Sequence, residues 1–148
     1  MIVETQVIIH GSKAAVWGAI TDMEKASEII SGIEKIEMVE KPASGLVGLK
    51  WRETRMLFGK PATVEKWITE AVENEYYQTR AEDGGFVFLT SMRLSESSGG
   101  VTLTSIHETK PQGIAARLQS LPMFLFKGMM KKLILQDLKD IKAVVERS

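Results

Sequence analysis

The sequence predicts an α+β domain in which a curved antiparallel sheet of seven strands surrounds a long C-terminal helix, with two short helices between strands one and two. Two observations carry this. For about 75 residues after Gly32 the chain keeps a period-two texture broken by short turn signals. From Leu118 to Val145 apolar residues instead recur at three- and four-residue intervals, as on one face of a helix. A single sheet with one apolar face then has only one large partner to pack against, so the helix must lie within its curve.

The elements follow in order. Ile2 to Ile9 is mostly β-branched, interrupted by Glu4, Thr5 and Gln6, and reads as a strand ended by His10-Gly11. Ser12 sits where an N-cap belongs, ahead of an apolar face at Val16 to Ile20. Asp22 can cap a second short helix through Met23 to Ile30, which Gly32 ends. Strands are expected near Ile33–Glu40, Val47–Leu57, Ala62–Ala71, Glu75–Ala81, Phe86–Leu94 and Val101–Thr109. The segments between them, including Gly59-Lys60-Pro61, Asp83-Gly84-Gly85 and Ser97-Ser98-Gly99-Gly100, have the brevity and chemistry of hairpin turns. Pro122 lacks an amide donor and belongs in the first turn of the main helix, after a preliminary turn ending near Ser120. Lys139, Lys142 and Arg147 suit the negative end of that helix.

Composition narrows the function. With 148 residues, 44% of them apolar, the chain reads as one domain over 1–148. Nineteen basic residues balance nineteen acidic ones, so no global field draws it to nucleic acid, which is not an expected partner. The absence of cysteine removes disulfides, thiolate metal sites and thiol catalysis, and makes the cytoplasm the expected compartment. Glu4 stands where a signal peptide would be basic, and no run approaches about 18 apolar residues, so neither secretion nor stable membrane insertion is expected. His10 and His107, the two histidines, form no metal-ligand spacing, and no phosphate loop, dinucleotide fingerprint or nucleophile elbow occurs. No cofactor or metal is indicated, and no residue is assigned a catalytic role.

The strand pattern does indicate an inward face. A two-residue turn at Gly59-Lys60 sets Leu57 opposite Ala62, Arg55 opposite Val64, Glu53 opposite Lys66 and Trp51 opposite Ile68. One face then carries Trp51, Leu57 and Ile68 around a Glu53–Lys66 ion pair, while the other sets Arg52 beside Trp67, where a guanidinium can stack on the indole. A turn centred on Ser97-Ser98 pairs Leu94 with Val101, Met92 with Leu103, Thr90 with Ser105 and Phe88 with His107. The same parity adds Phe86, Ala81, Thr79 and Tyr77. Facing Phe124, Leu125, Met129 and Leu133 of the helix, these residues make an apolar space with a few hydroxyls and one imidazole, the usual chemistry of a small-molecule pocket.

The candidate ligand-binding residues are therefore Trp51, Tyr77, Phe86, Phe88, Thr90, Met92 and Leu103, with Ser105, His107, Phe124, Leu125, Met129 and Leu133. Plainer roles stand beside this one. Trp17 reads as a core anchor, Met123, Phe124, Phe126, Met129 and Met130 as ordinary core, and His107 as a hydrogen-bonded structural histidine. Glu53 with Lys66 reads as a cross-strand ion pair, and Lys127, Lys131 and Lys132 as a solvated helix face.

The stretch Val7 to Trp17, VIIHGSKAAVW, followed by Thr21-Asp22, resembles the START-like (SRPBCC, helix-grip) superfamily, whose bacterial branch includes polyketide cyclase/dehydrase and lipid-transfer proteins. The resemblance continues through Gly45-Leu46-Val47-Gly48, Trp67-Ile68-Thr69-Glu70 and Gly100 to Thr104, and so covers nearly the whole chain. Two departures occur: Gly11-Ser12 stands where such proteins often carry Ala-Pro, and Ile29-Ile30 replaces an aromatic late in the second helix. The resemblance implies a helix-grip fold and a cavity, not a reaction. It points to non-enzymatic binding or transport of a hydrophobic, lipid- or polyketide-like small molecule. In that reading Tyr77, Thr90, Ser105 and His107 orient the ligand and the second helix acts as a lid. The alternatives are a cyclase/dehydratase-type enzyme, with His107 moving a proton and Tyr77 or Glu53 stabilising charge, and an interaction module presenting Phe124, Phe126 and Met130 to a protein or lipid surface.

Overall fold

The structure is a computed structural model describing residues 1–57, 59–112 and 123–148, the side chains of the last segment from residue 127 onward. The order is β1 (Ile2–Ile9), α1 (Lys13–Thr21), a 3-10 turn (Met23–Lys25), α2 (Ala26–Ile29), β2 (Ile33–Glu40), β3 (Lys50–Leu57), β4 (Lys60–Val72), β5 (Tyr76–Asp83), β6 (Phe86–Ser97), β7 (Gly100–Pro111) and α3 (Met123–Arg147). The seven strands form one antiparallel sheet ordered β1-β7-β6-β5-β4-β3-β2. Neighbours in sequence from β2 to β7 pair as hairpins, and β1 returns to pair with β7, leaving β1 and β2 as the two edges.

Local chemistry explains where the elements start. Ser12 Oγ accepts from the Ala15 amide at 3.1 Å and begins α1. Asp22 makes no such bond, so the expected helix from Met23 to Ile30 is split. The first part tightens into a 3-10 turn and only four residues of α2 follow. β3 begins at Lys50 and not at Val47, because Gly48 takes φ 95° and its amide turns aside to the Ile68 carbonyl at 2.9 Å. The expected preliminary turn near Ser120 and the placing of Pro122 lie outside the described residues.

Two hairpin registers differ from expectation by two residues. Leu57 pairs with Lys60, so Arg55 faces Ala62, Glu53 faces Val64 and Trp51 faces Lys66. Ser97 pairs with Gly100, so Leu94 faces Leu103, Met92 faces Ser105, Thr90 faces His107 and Phe88 faces Thr109. The turns settle where Gly59 (φ 76°) and Gly99 (φ 98°) supply left-handed backbone. A displacement of two preserves pleat parity, so the inward set is unchanged while every cross-strand partner is new. On the outer face Arg52 therefore lies opposite Glu65, and Lys50, not Arg52, stands over the Trp67 ring at 5.4 Å.

The core forms where α1, the sheet and the second half of α3 meet. Leu138, Ile141 and Val145 bring one helical stripe onto Ile9, Val16, Trp17, Ile68, Leu94, Val101 and Leu103, each buried aliphatic side chain stabilising the fold by about 1.5–3 kcal/mol. Tyr77 meets Trp17 edge-on at 6.1 Å and donates its hydroxyl to the Ile20 carbonyl at 3.1 Å, which fixes α1 against β5.

α3 is tied to the β1 edge and, across the sheet, to β3 and the segment before β2. On the β1 side Lys142 Nζ donates to the Ile8 carbonyl at 2.5 Å and Glu146 accepts the His10 amide at 2.8 Å. On the opposite side Asp140 accepts the Ser31 amide and hydroxyl at 2.9 and 2.8 Å, and Asp137 takes both ends of the Arg55 guanidinium at 3.1 and 2.7 Å.

Tyr77→Phe keeps the aromatic packing and orphans the Ile20 carbonyl. It should lower stability by about 1 kcal/mol, seen as a lower urea midpoint at unchanged slope. Asp137→Ala strips Arg55 of its second carboxylate. Because the Arg55 and Asp137 side chains retain 21% and 19% exposure, the loss should be about 2 kcal/mol, below the range for fully buried pairs. Equal midpoints for Asp137→Ala and wild type would show that the contact does not hold the helix.

Candidate functional site

The concave face divides into a filled half and a polar, aromatic half. Trp51, Tyr77, Met92 and Leu103 belong to the filled half and are part of the buried core cluster. Ser105 is buried beside them on β7. Phe86, Phe88, Thr90 and His107 lie further along β6 and β7 and are only half-buried, as are Met129 and Leu133 of α3. Phe124 and Leu125 fall within the helix, but their side chains, like that of Phe126, lie outside the described residues. Met130 is half-buried. Ile29 and Ile30, in the segment expected to act as a lid, pack against the core cluster.

His107 is the centre of the polar half. Its Nδ1 shares a hydrogen bond with Thr90 Oγ1 at 2.8 Å, and its Nε2 lies 3.4 Å from Thr109 Oγ1. The ring stacks on Phe88 at 6.1 Å and 26° between planes, and Phe88 adjoins Phe86 at 6.3 Å. Burial foremost, with the Lys66 ammonium and the N-terminal ammonium beyond it, lowers the imidazole pKa to about 4. At neutral pH this is an uncharged imidazole held between two hydroxyls on an aromatic wall.

A second polar feature lies on β3 and β4. Glu53 Oε2 accepts from Arg55 Nε and from Lys66 Nζ, both at 2.9 Å, and Arg55 extends to Asp137 on the helix. Burial alone would push the Glu53 carboxyl up, but Lys66 and Arg55 reverse this and hold it at about 2. Burial pushes Asp137 up, opposed by Arg55, and the paired carboxylates hold the Arg55 guanidinium in its charged form. The sequence suggested Glu53 with Lys66 but not Arg55 or Asp137. The available signals were the alternation of Arg55 with Glu53 on one face and an acid set beside the apolar stripe of α3.

These groups do not assemble into an acid/base pair with His107. Glu53 is occupied by two cations, and Tyr77, whose phenol is pushed up by burial and then by the Glu53 charge, donates to the Ile20 carbonyl. Among the described residues no cluster of histidine and carboxylate could hold a metal ion, and no described helix is long and apolar enough to cross a membrane. Between β1 and the first half of α3 there is an open groove of about 380 Å³ lined by Glu4, Thr5, Gln6, Lys131 and Leu135. The Thr5 hydroxyl and the Trp51 indole N–H are buried without a partner among the described residues.

The His107 environment predicts a pH dependence. A folded pKa of about 4, below the ordinary 6.5, means that between these values the unfolded chain binds a proton that the folded chain refuses. This contribution is fully present above pH 6.5 and is lost as the pH falls toward 4. It is worth at most about 3 kcal/mol. His107→Gln should flatten the stability profile over that window, and an NMR titration of the His107 ring showing an ordinary midpoint would refute the assignment.

Residues 1–146 match the sequence profile of the family described as polyketide cyclase/dehydrase and lipid transport. A search of curated protein sequences returns no match. Among solved structures, the chain is similar to a START superfamily protein from Mycobacterium smegmatis, with TM-score 0.82 and 13% identity over 99% of this chain and 97% of that one. It is similar to Ara h 8.0201, with TM-score 0.76 and 20% identity over 100% and 99% of the two chains. It is also similar to the Zhui aromatase/cyclase from a Streptomyces species, with TM-score 0.77 and 16% identity over 99% and 94%. At these identities the likeness establishes the helix-grip fold, and with the profile match over nearly the whole length the chain belongs to the polyketide cyclase/dehydrase and lipid transport family.

Proposed function

We propose that the protein binds and carries a hydrophobic small molecule, lipid- or polyketide-like, between the concave face of the sheet and the first half of α3. The observation that supports this most directly is the state of His107: neutral at physiological pH, stacked on Phe88, and bonded to threonine hydroxyls and, among the described residues, to no carboxylate. A general acid or base works best with a pKa near the operating pH and a partner that orients it. A neutral imidazole whose two nitrogens are met by threonine hydroxyls instead makes part of an uncharged wall suited to a ligand whose surface is largely apolar. Phe86 and Phe88 would supply apolar contact, with Thr90 and His107 setting orientation. The family covers cyclase-type activity as well as lipid transport. The cyclase reading would need a second titratable group within hydrogen-bond reach of the same point as His107.

Native mass spectrometry of the purified protein, followed by denaturing extraction, tests the carrier reading. One apolar compound per chain, released on denaturation, is the expected result. A protein that is empty as purified, and that also fails to take up a neutral naphthylamine dye added in excess, would overturn it.

A further inference from the structure

We infer that the interior selects an uncharged ligand bearing a carbonyl oxygen, such as a ketone or ester, over a carboxylate, and that Lys66 donates the hydrogen bond that receives that oxygen. This rests on the carrier reading and adds the chemical class of the cargo.

The half-buried cluster on the concave face holds two cations, Arg55 and Lys66, and two anions, Glu53 and Asp137, each within 3.1 Å of an opposite partner. His107 adds none at neutral pH. The field of this cluster is thus balanced, and an ionised ligand entering it would surrender hydration without finding an uncommitted counter-charge within the cluster.

Hydrogen-bonding capacity is not balanced in the same way. Arg55 directs Nε to Glu53 and its two terminal nitrogens to Asp137. An ammonium has three donors, and the one contact the Lys66 ammonium makes among the described residues is with Glu53 Oε2. Lys66 is also the cluster's most accessible member, with its side chain 29% exposed against 21% for Arg55 and 9% for Glu53. Lys66 shares the inward face with Glu53 and with its cross-strand partners Trp51 and Ala81. A carbonyl oxygen can accept from this ammonium while Glu53 keeps its own bond. A carboxylate would place a second negative charge beside Glu53 on the same ammonium, and a ligand ammonium would meet carboxylates that are already paired.

The test uses four probes of one chain length, a methyl ketone, a carboxylate, a primary amine and a terminal alkene, each competed against a neutral naphthylamine dye near neutral pH. Wild type should bind the ketone about tenfold more tightly than the carboxylate, the amine or the alkene, a difference of about 1.4 kcal/mol. Lys66→Met should bring the ketone down to the alkene while leaving the alkene within about twofold of wild type. Because that variant exposes Glu53 to weaker pairing, Glu53→Gln serves as a second variant. It releases Lys66 from its partner and should raise carboxylate affinity about tenfold. Wild-type preference for the carboxylate, or a ketone preference that survives Lys66→Met, would overturn the inference and leave the carrier reading intact. Binding of the dye and all four probes failing together would overturn the carrier reading itself.

Discussion

A sheet that curves without closing on itself leaves its concave face open, and in this chain one helix lies across it, tied to the β1 edge on one side and to β3 and the segment before β2 on the other. α3 reaches both sides by helical periodicity. At about 100° per residue, Leu138, Ile141 and Val145 form the inward stripe. Asp137 and Asp140 fall on one flank, and Lys142 and Glu146 on the other. The flank facing β1 reaches the Ile8 carbonyl and the His10 amide, and the flank facing β2 and β3 reaches Ser31 and Arg55. The apolar stripe supplies most of the stabilisation, but it is tolerant of sliding. The charged contacts are directional and set which turn of helix meets which strand.

That anchoring has a consequence for the interior. Joining Asp137 to Arg55 places a guanidinium on the concave face, and a guanidinium there draws in Glu53, which in turn draws in Lys66. Removing such groups from water is costly, and the cost is tolerable only because every member meets an opposite charge at hydrogen-bond distance. The cluster lies on the same face as the core aromatics Trp51 and Tyr77, so the apolar filling of the curve is interrupted by a compact, electrically balanced patch. The long-range influence of Lys66 on His107 extends the same logic: a cation in the interior helps keep a distant imidazole neutral.

Alternation and helical period are local properties, and they made the seven strands, the terminal helix and the inward parity of β5 to β7 readable from the sequence. Turn position is decided by which glycine takes left-handed backbone. Gly59 and Gly99 each lie next to other plausible turn residues, so the registers were displaced by two while the faces stayed the same. The stacking of Lys50 on Trp67, where Arg52 was expected, is a direct result of that displacement. Asp22 has the chemistry of a cap but not the backbone geometry that would let it act as one. The Arg55–Asp137 contact joins residues 82 positions apart. No period or motif encodes it, because it depends on the turn of α3 that comes to rest over β3.

The same locality bears on what the site can do. Residue types alone left His107 open to three roles, since an imidazole in a pocket can be structural, can orient a ligand or can move protons. Its neighbours separate these. An orienting carboxylate would raise its basicity and stabilise the imidazolium, as in a catalytic dyad, whereas Thr90 and Thr109 do neither. Burial, with the charges of two ammonium groups adding to it, acts in the opposite direction, lowering the pKa to about 4. A base that weak is free of its proton at neutral pH but has little driving force to take one from a carbon or hydroxyl acid. The fold thus commits both nitrogens of the histidine to threonine hydroxyls and suppresses its proton chemistry, a combination that supports recognition over catalysis at this wall.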